Sequence, residues 1–140
     1  MMKIRKAKKE DIDKIQKILI SGCMLNFPEQ DGKKAMLKIL KLQPDYFLVA
    51  EENKEVLGMI RGCYDGSRAL IHQLIIGSDA RGKGVGTHLL KAITQSFKKR
   101  GAKTISCAST QNTIDFYKKF GFNETGVVMM TNFDINSVLK

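Results

Sequence analysis

An apolar run, Leu74-Ile75-Ile76, leads through Gly77, Ser78, Asp79, Ala80, Arg81, Gly82, Lys83, Gly84, Val85 and Gly86 to Thr87, where an amphipathic stretch takes over. Few local structures accommodate that junction. Glycines let the backbone come close to an anion, a new helix offers unpaired N–H groups and the positive end of its dipole, and Arg81 and Lys83 add charge. The segment reads as a cradle for phosphate. Beyond it Val85, Leu89, Ile93 and Phe97 recur every four positions, the stripe of a helix packed on a sheet. Lys98-Lys99-Arg100-Gly101 ends that helix, with cations at the negative end of the dipole and a glycine able to take the left-handed cap.

Three classes of phosphate loop share this composition, and spacing separates them. Gly77, Gly82 and Lys83 fall at the intervals of the nucleoside-triphosphatase loop, but Gly84 stands where a Ser or Thr would hold magnesium. Dinucleotide-binding loops space their glycines two and then three apart, whereas Gly82, Gly84 and Gly86 keep a spacing of two, and Gly101 to Cys107 lacks the ribose-binding acid. What remains is Arg81-x-x-Gly84-x-Gly86, which closely resembles the pyrophosphate loop of the GNAT superfamily, the general-control-related N-acetyltransferases that bind acetyl-coenzyme A. The bland alternative is a glycine-rich strand-to-helix turn with no ligand.

The rest of the chain supplies the context. Lys3 to Ala7 reads as an edge strand, and Glu10-Asp11 opens a helix carrying Ile12, Ile15, Ile18 and Leu19 that ends near Gly22, with lysines where a capping Ser or Thr would be expected. Asn26 to Gln30 is expected to be a loop, and Asp31-Gly32 the start of a second helix with Met36, Ile39 and Leu40 on one side, followed by Pro44. Tyr46 to Glu51, Val56 to Tyr64 and Arg68 to Ile76 read as strands of an antiparallel meander, joined across Glu52-Asn53-Lys54 and Asp65-Gly66-Ser67. Lys103 to Ala108 is a further strand and Asn112 to Lys119 a helix closed by Gly121, with two strand-like pieces expected from Phe122 onward. A crossover through the Val85 to Phe97 helix makes its two flanking strands parallel. The fold class is therefore mixed α/β in one domain spanning 1–140: a mostly antiparallel sheet with a parallel central pair and helices on both faces.

The resemblance extends along nearly the whole chain. Val49 to Gly58 looks like the superfamily's second hairpin, and Phe116-Tyr117-Lys118-Lys119-Phe120-Gly121-Phe122 is similar to its closing Tyr-x-x-x-Gly-Phe signature. It implies direct transfer of an acetyl group from acetyl-coenzyme A to a primary amine of a small molecule, peptide or protein. It also implies that Leu74, Ile75 and Ile76, opposite Ser106 to Ala108, offer backbone groups to the pantetheine arm. The amides of Gly82, Lys83, Gly84, Val85, Gly86 and Thr87 would hold the pyrophosphate, beside Arg81 and with the Thr87 hydroxyl as an extra donor. Tyr117 takes the position of the general acid at the sulfur. The superfamily often has Asn seven residues before this Tyr; here that residue is Thr110, and Asn112, five before, is the candidate for the pantetheine contact.

The base is less directly marked. His72 stands four residues before Ile76, where amine acetyltransferases of the arylalkylamine type are similar in placing a histidine, and strand alternation puts it on the face of Leu74 and Ile76. An imidazole titrates near neutrality, which suits deprotonating an ammonium directly or through water. Glu51 and Glu52 are the carboxylate alternatives, and a structural strand histidine is the bland one. His88, in the first turn of the long helix, is expected to face solvent.

A formal charge of +10 favours polyanionic partners, coenzyme A among them. The basic residues are scattered and the chain has no Trp to stack on a base, which argues against a nucleic-acid-binding protein. A catalytically idle acyl-coenzyme-A-binding module is the other alternative, needing neither Tyr117 nor His72. Cys23, Cys63 and Cys107 are odd in number and unpaired in spacing, which points to no metal site and a reducing, cytoplasmic setting. Neither a signal peptide nor a membrane-spanning run is expected. Val127-Val128-Met129-Met130, in a tail with little chain left to cover it, suggests a homodimer.

Overall fold

The computed structural model describes residues 1–25 and 27–140, and these fall into two units, 1–107 and 108–140. The first holds the sheet. Strands β1 (Lys3–Lys6), β2 (Phe47–Glu52), β3 (Glu55–Tyr64), β4 (Ala69–Ile76) and β5 (Ile105–Cys107) lie in sequence order; each of the first four pairs antiparallel with its neighbour, and β5 runs parallel to β4. The mixed sheet is as expected. Its parallel pair closes one edge instead of lying at the centre, because no strand follows β5 among the described residues.

Helices cover both faces of the sheet. On one, α1 (Ile12–Ser21) and α3 (Lys33–Leu42) send Ile12, Ile15, Leu19 and Met36 into a fully buried cluster with Phe47, Val49 and Met59. On the other, α4 (Val85–Lys99) buries Val85, Leu89, Leu90, Ile93 and Phe97, the last with its ring 4.7 Å from that of Tyr46 and 6.5 Å from that of Tyr64. Each such side chain contributes roughly 1.5–3 kcal/mol through burial. The Gly101 N–H donates to the Lys98 carbonyl and the Ala102 N–H to that of Phe97, with Gly101 at φ +103°, so the expected left-handed stop is present.

Alternation assigns the strand residues to faces. Met59 and Ile75 are partners and lie in the cluster with α1 and α3, whereas Tyr64 touches Phe97 of α4. Along β3, then, Met59, Arg61 and Cys63 face α1 and α3, and Ile60, Gly62 and Tyr64 face α4.

Some boundaries differ from expectation. Asn26 lies outside the described residues, but Pro28 to Gln30, expected as loop, join Asp31 in the four-residue helix α2 (Pro28–Asp31), with Pro28 at its first position where a missing N–H does no harm. No side chain caps the N–H groups of α1; instead the Asp11 carboxylate, at its N-cap position, accepts the Lys8 amide at 2.7 Å and both Arg5 terminal nitrogens at 2.8 and 3.0 Å. Burial alone would raise the Asp11 carboxyl, but these partners hold it below the usual carboxylate range.

In the second unit, the expected 112–119 helix is a single turn, Gln111–Thr113, followed by α5 (Ile114–Lys118). The two expected tail strands are absent; a helical turn, Ile135–Leu139, is the only regular element after α5 among the described residues. Val127, Val128, Met129 and Met130 are 83%, 78%, 62% and 89% exposed. An apolar run becomes a strand only when its backbone groups find a neighbouring strand, and this one has none within the described chain.

Candidate active site

The glycine loop departs from the end of β4. The Gly77 N–H donates to the Leu57 carbonyl at 2.8 Å, and a short turn, Ser78–Ala80, is anchored by the buried Ala80. Gly82 and Gly84 both have φ +78°, the left-handed region that side chains disfavour. A Cβ on Gly82 would meet nothing within 4 Å, and one on Gly84 only the His88 ring at 3.8 Å. Open space thus lies on the Cβ side of both glycines. Gly84 caps α4 without a side-chain hydrogen bond, and its carbonyl accepts from the His88 backbone and from His88 Nδ1, at 3.1 and 2.8 Å. The amides of Val85, Gly86 and Thr87 have no acceptor within the helix and sit at its positive end. Arg81, Lys83 and His88 are exposed around them. Phosphates fit this cradle.

Leu74, Ile75 and Ile76 continue straight into that loop. Their expected partners differ: β5 pairs Ile105 with Ala69, Ser106 with Leu70 and Cys107 with Ile71, so Ser106 and Cys107 lie further back than the residues opposite Leu74 to Ile76. From Gln73 to Ile76, β4 pairs with β3 alone among the described residues. One backbone edge of Leu74 to Ile76 is thereby left without a strand.

His72 is where sequence alternation fails. Arg61 pairs with Gln73 and Gly62 with Ile71, so His72 is an extra residue in β4, a bulge with no partner on β3. Its Nε2 lies 3.4 Å from Cys63 Sγ, on the face of α1 and α3, whereas Leu74 pairs with Ile60 on the face of α4. The expectation that His72 shares the face of Leu74 and Ile76 is therefore corrected, since the added residue reverses the phase. Desolvation, and secondarily the Arg61 charge, push the imidazole below its ordinary value, so it is neutral at neutral pH. Glu51 is a poorer base: Arg5 at 3.1 Å and Lys3 at 3.6 Å hold its carboxylate below the usual range.

The second unit carries the other two candidates. Tyr117, 6% exposed, lies in α5 with its ring 5.2 Å from that of Phe116 and 5.3 Å from that of Phe122. Gly121, at φ +87°, turns the chain so that the Phe122 amide donates back to the Tyr117 carbonyl at 3.3 Å. Asn112 is exposed in the preceding turn.

Sequence reading did not single out the residues around His72. Arg61 donates from Nε to Gln73 Oε1 at 2.7 Å and from Nη2 to Asp31 Oδ1 at 3.0 Å, with only 11% and 13% of the Arg61 and Asp31 side chains exposed. Burial pulls the Arg61 guanidinium downward against the pull of Asp31. Counting back from the Asp65-Gly66-Ser67 turn would have found Cys63 beside Leu70, but not the extra residue beyond it. Among the described residues no cluster of His, Cys, Asp and Glu could hold a metal ion, and no helix is long and apolar enough to cross a membrane.

Comparison with known proteins gives the same architecture. Residues 13–122 match the model of the acetyltransferase (GNAT) family. An acetyltransferase of Sodalis glossinidius is 30% identical over 132 residues, 92% of each chain, and one of Pectobacterium atrosepticum is 28% identical over 92% of this chain and 93% of that one. The crystal structure of Ard1 from Thermoplasma volcanium superposes with a TM-score of 0.81 at 25% identity, over 97% of this chain and 90% of the other. A predicted acetyltransferase from Clostridium acetobutylicum, crystallised with acetyl-coenzyme A, has the same fold, with a TM-score of 0.76 at 21% identity over 94% and 96% of the two chains. With its glycine cradle at the head of α4 and a family match running from α1 to Phe122, the chain belongs to the acetyltransferase (GNAT) family.

Proposed function

We propose that the protein transfers an acetyl group from acetyl-coenzyme A directly to a primary amine of a small molecule, peptide or protein, and that residues 1–140 act as one such domain. The observation that carries this reading is the cradle: two glycines at φ +78° with open space on their Cβ side, at the positive end of a fifteen-residue helix. Acetyl-coenzyme A supplies an activated thioester. Gly82 to Thr87 hold its pyrophosphate through backbone amides, with Arg81 and Lys83 adding charge, and the free edge of Leu74 to Ile76 takes the pantetheine amides. Asn112 adds a side-chain contact to that arm. The +10 charge draws in the polyanionic coenzyme, and three free cysteines suit a reducing cytoplasm.

His72 removes the proton from the acceptor ammonium, and Tyr117 returns one to the departing sulfur. The Tyr117 role rests on the Phe116 to Phe122 signature. Release of free thiol from acetyl-coenzyme A across a panel of amines and peptides tests the activity. No release with any acceptor, despite coenzyme binding, would leave an idle module.

The pH profile follows from the direction of the His72 shift. A depressed value keeps the imidazole neutral further into acid, so the acidic limb of turnover lies below the ordinary 6.5. His72→Gln should lower turnover about tenfold or more and erase that limb. Full turnover with the same limb would assign the base to another group or to water.

Self-association is the second expectation. Four consecutive apolar side chains, each at least 62% exposed, lie in a chain whose sheet, among the described residues, has no strand beyond β5. A homodimer burying Val127 to Met130 removes that exposure, and it is expected by sedimentation at tens of micromolar. A monomer throughout that range contradicts it.

A further inference from the structure

The β4 bulge shows how His72 is held, an inference that rests on reading His72 as the base. Gly62, opposite the bulge, could not carry a side chain: its Cβ would lie 2.2 Å from the Leu70 carbonyl oxygen. On the other flank Arg61 grips Gln73 at 2.7 Å, and its Nη2 reaches Asp31 Oδ1 at 3.0 Å and the Gln30 carbonyl of α2 at 3.4 Å. The residues on either side of His72 are thus held, and among the described residues the ring reaches one side-chain partner, Cys63 Sγ at 3.4 Å from Nε2.

A neutral imidazole has one N–H and one lone pair, and the hydrogen bond made by one nitrogen decides the role of the other. We infer that Cys63 is a positioning residue that accepts the His72 Nε2–H, fixing the tautomer in which the Nδ1 lone pair takes the proton from the acceptor amine. The reverse arrangement, with the thiol donating to Nε2, would occupy the only lone pair on the ring and leave no base. The surroundings keep both partners neutral. Burial first, and Asp65 second, hold the Cys63 thiol protonated against the pull of Arg61, while Arg61, itself paired with Asp31 from α2, opposes a charge on His72. This is a thiol beside an imidazole and not a thiolate–imidazolium pair. Only a proton moves, from the ammonium to Nδ1 and then to water.

The test is long-range proton–nitrogen NMR of the full-length protein labelled with nitrogen-15, the His72 signals being assigned by their loss in His72→Gln. Wild type is expected as the Nε2–H tautomer. Cys63→Ala should shift both ring nitrogens toward a mixture of tautomers and lower turnover about two- to fivefold, whereas Cys63→Ser, whose oxygen also accepts, should keep the wild-type signals and rate. Thermal midpoints of both variants identify any loss that is only structural. An Nδ1–H tautomer in wild type, or unchanged signals in Cys63→Ala, overturns the proposal. If His72→Gln retains full turnover while Cys63→Ala shifts the tautomer, the hold by Cys63 stands and the assignment of the base falls.

Discussion

Tyr117→Phe is expected to lower turnover by at least about tenfold while leaving acetyl-coenzyme A affinity and the thermal midpoint near wild type. General acid–base groups contribute roughly 10²–10⁴-fold, and water can replace a lost donor only in part. The substitution removes one oxygen and keeps the ring, so the edge-on contacts with Phe116 and Phe122 survive. That separation of effects is what makes the variant informative. If Tyr117 were only a packed aromatic with a satisfied hydroxyl, the rate per folded molecule would be retained and stability alone would change. Normal turnover in a stable variant removes Tyr117 from the mechanism.

Gly84→Val should weaken acetyl-coenzyme A binding by about 100-fold or more. A branched side chain is strained at φ +78°, and its atoms enter the open space beside the loop, where the proposed pyrophosphate would sit. Loss of about two charge-assisted hydrogen bonds, each ~1.5–3 kcal/mol, is sufficient for that fall. Backbone strain of about 1–3 kcal/mol accompanies the substitution and would lower the thermal midpoint. Gly66→Val supplies the control: Gly66 has φ +96° in the β3–β4 turn, so it carries comparable strain away from the cradle and should keep its affinity. Calorimetry with acetyl-coenzyme A distinguishes them. Equal affinity in Gly84→Val and wild type removes the cradle.

What was legible in the sequence is what local chemistry determines. The stripe Val85, Leu89, Ile93 and Phe97, the Gly101 stop and the meander turns all depend on neighbours within a few residues, and they stand where expected. Asn53 and Lys54, at φ +52° and +65°, make the tight two-residue turn that the short hairpin junction demanded. The errors arose where a distant partner decides. Val127 to Met130 have the composition of a strand, but pairing requires a neighbour that sequence cannot name. The face of His72 depended on one unpaired residue, and alternation counted from Ile76 cannot register an insertion. The Arg61–Asp31 pair spans thirty positions and two elements, so no spacing rule announced it.

The bulge in β4 also has a genetic meaning. Deleting one codon between Ile71 and Gln73 would give β3 and β4 an unbroken ladder, with the glycine loop still following Ile76. Were Ile71 the residue lost, His72 would take its place opposite Gly62, facing α4 in a position where Ile71 is 1% exposed. An imidazole there would meet an apolar layer and lose the sulfur at its Nε2. Were His72 itself lost, the ladder would close cleanly and the fold would survive without a histidine at this point. In-frame length variants across these three codons are therefore not neutral alternatives to point substitutions: one codon separates a sheet that presents an imidazole beside Cys63 from one that presents none.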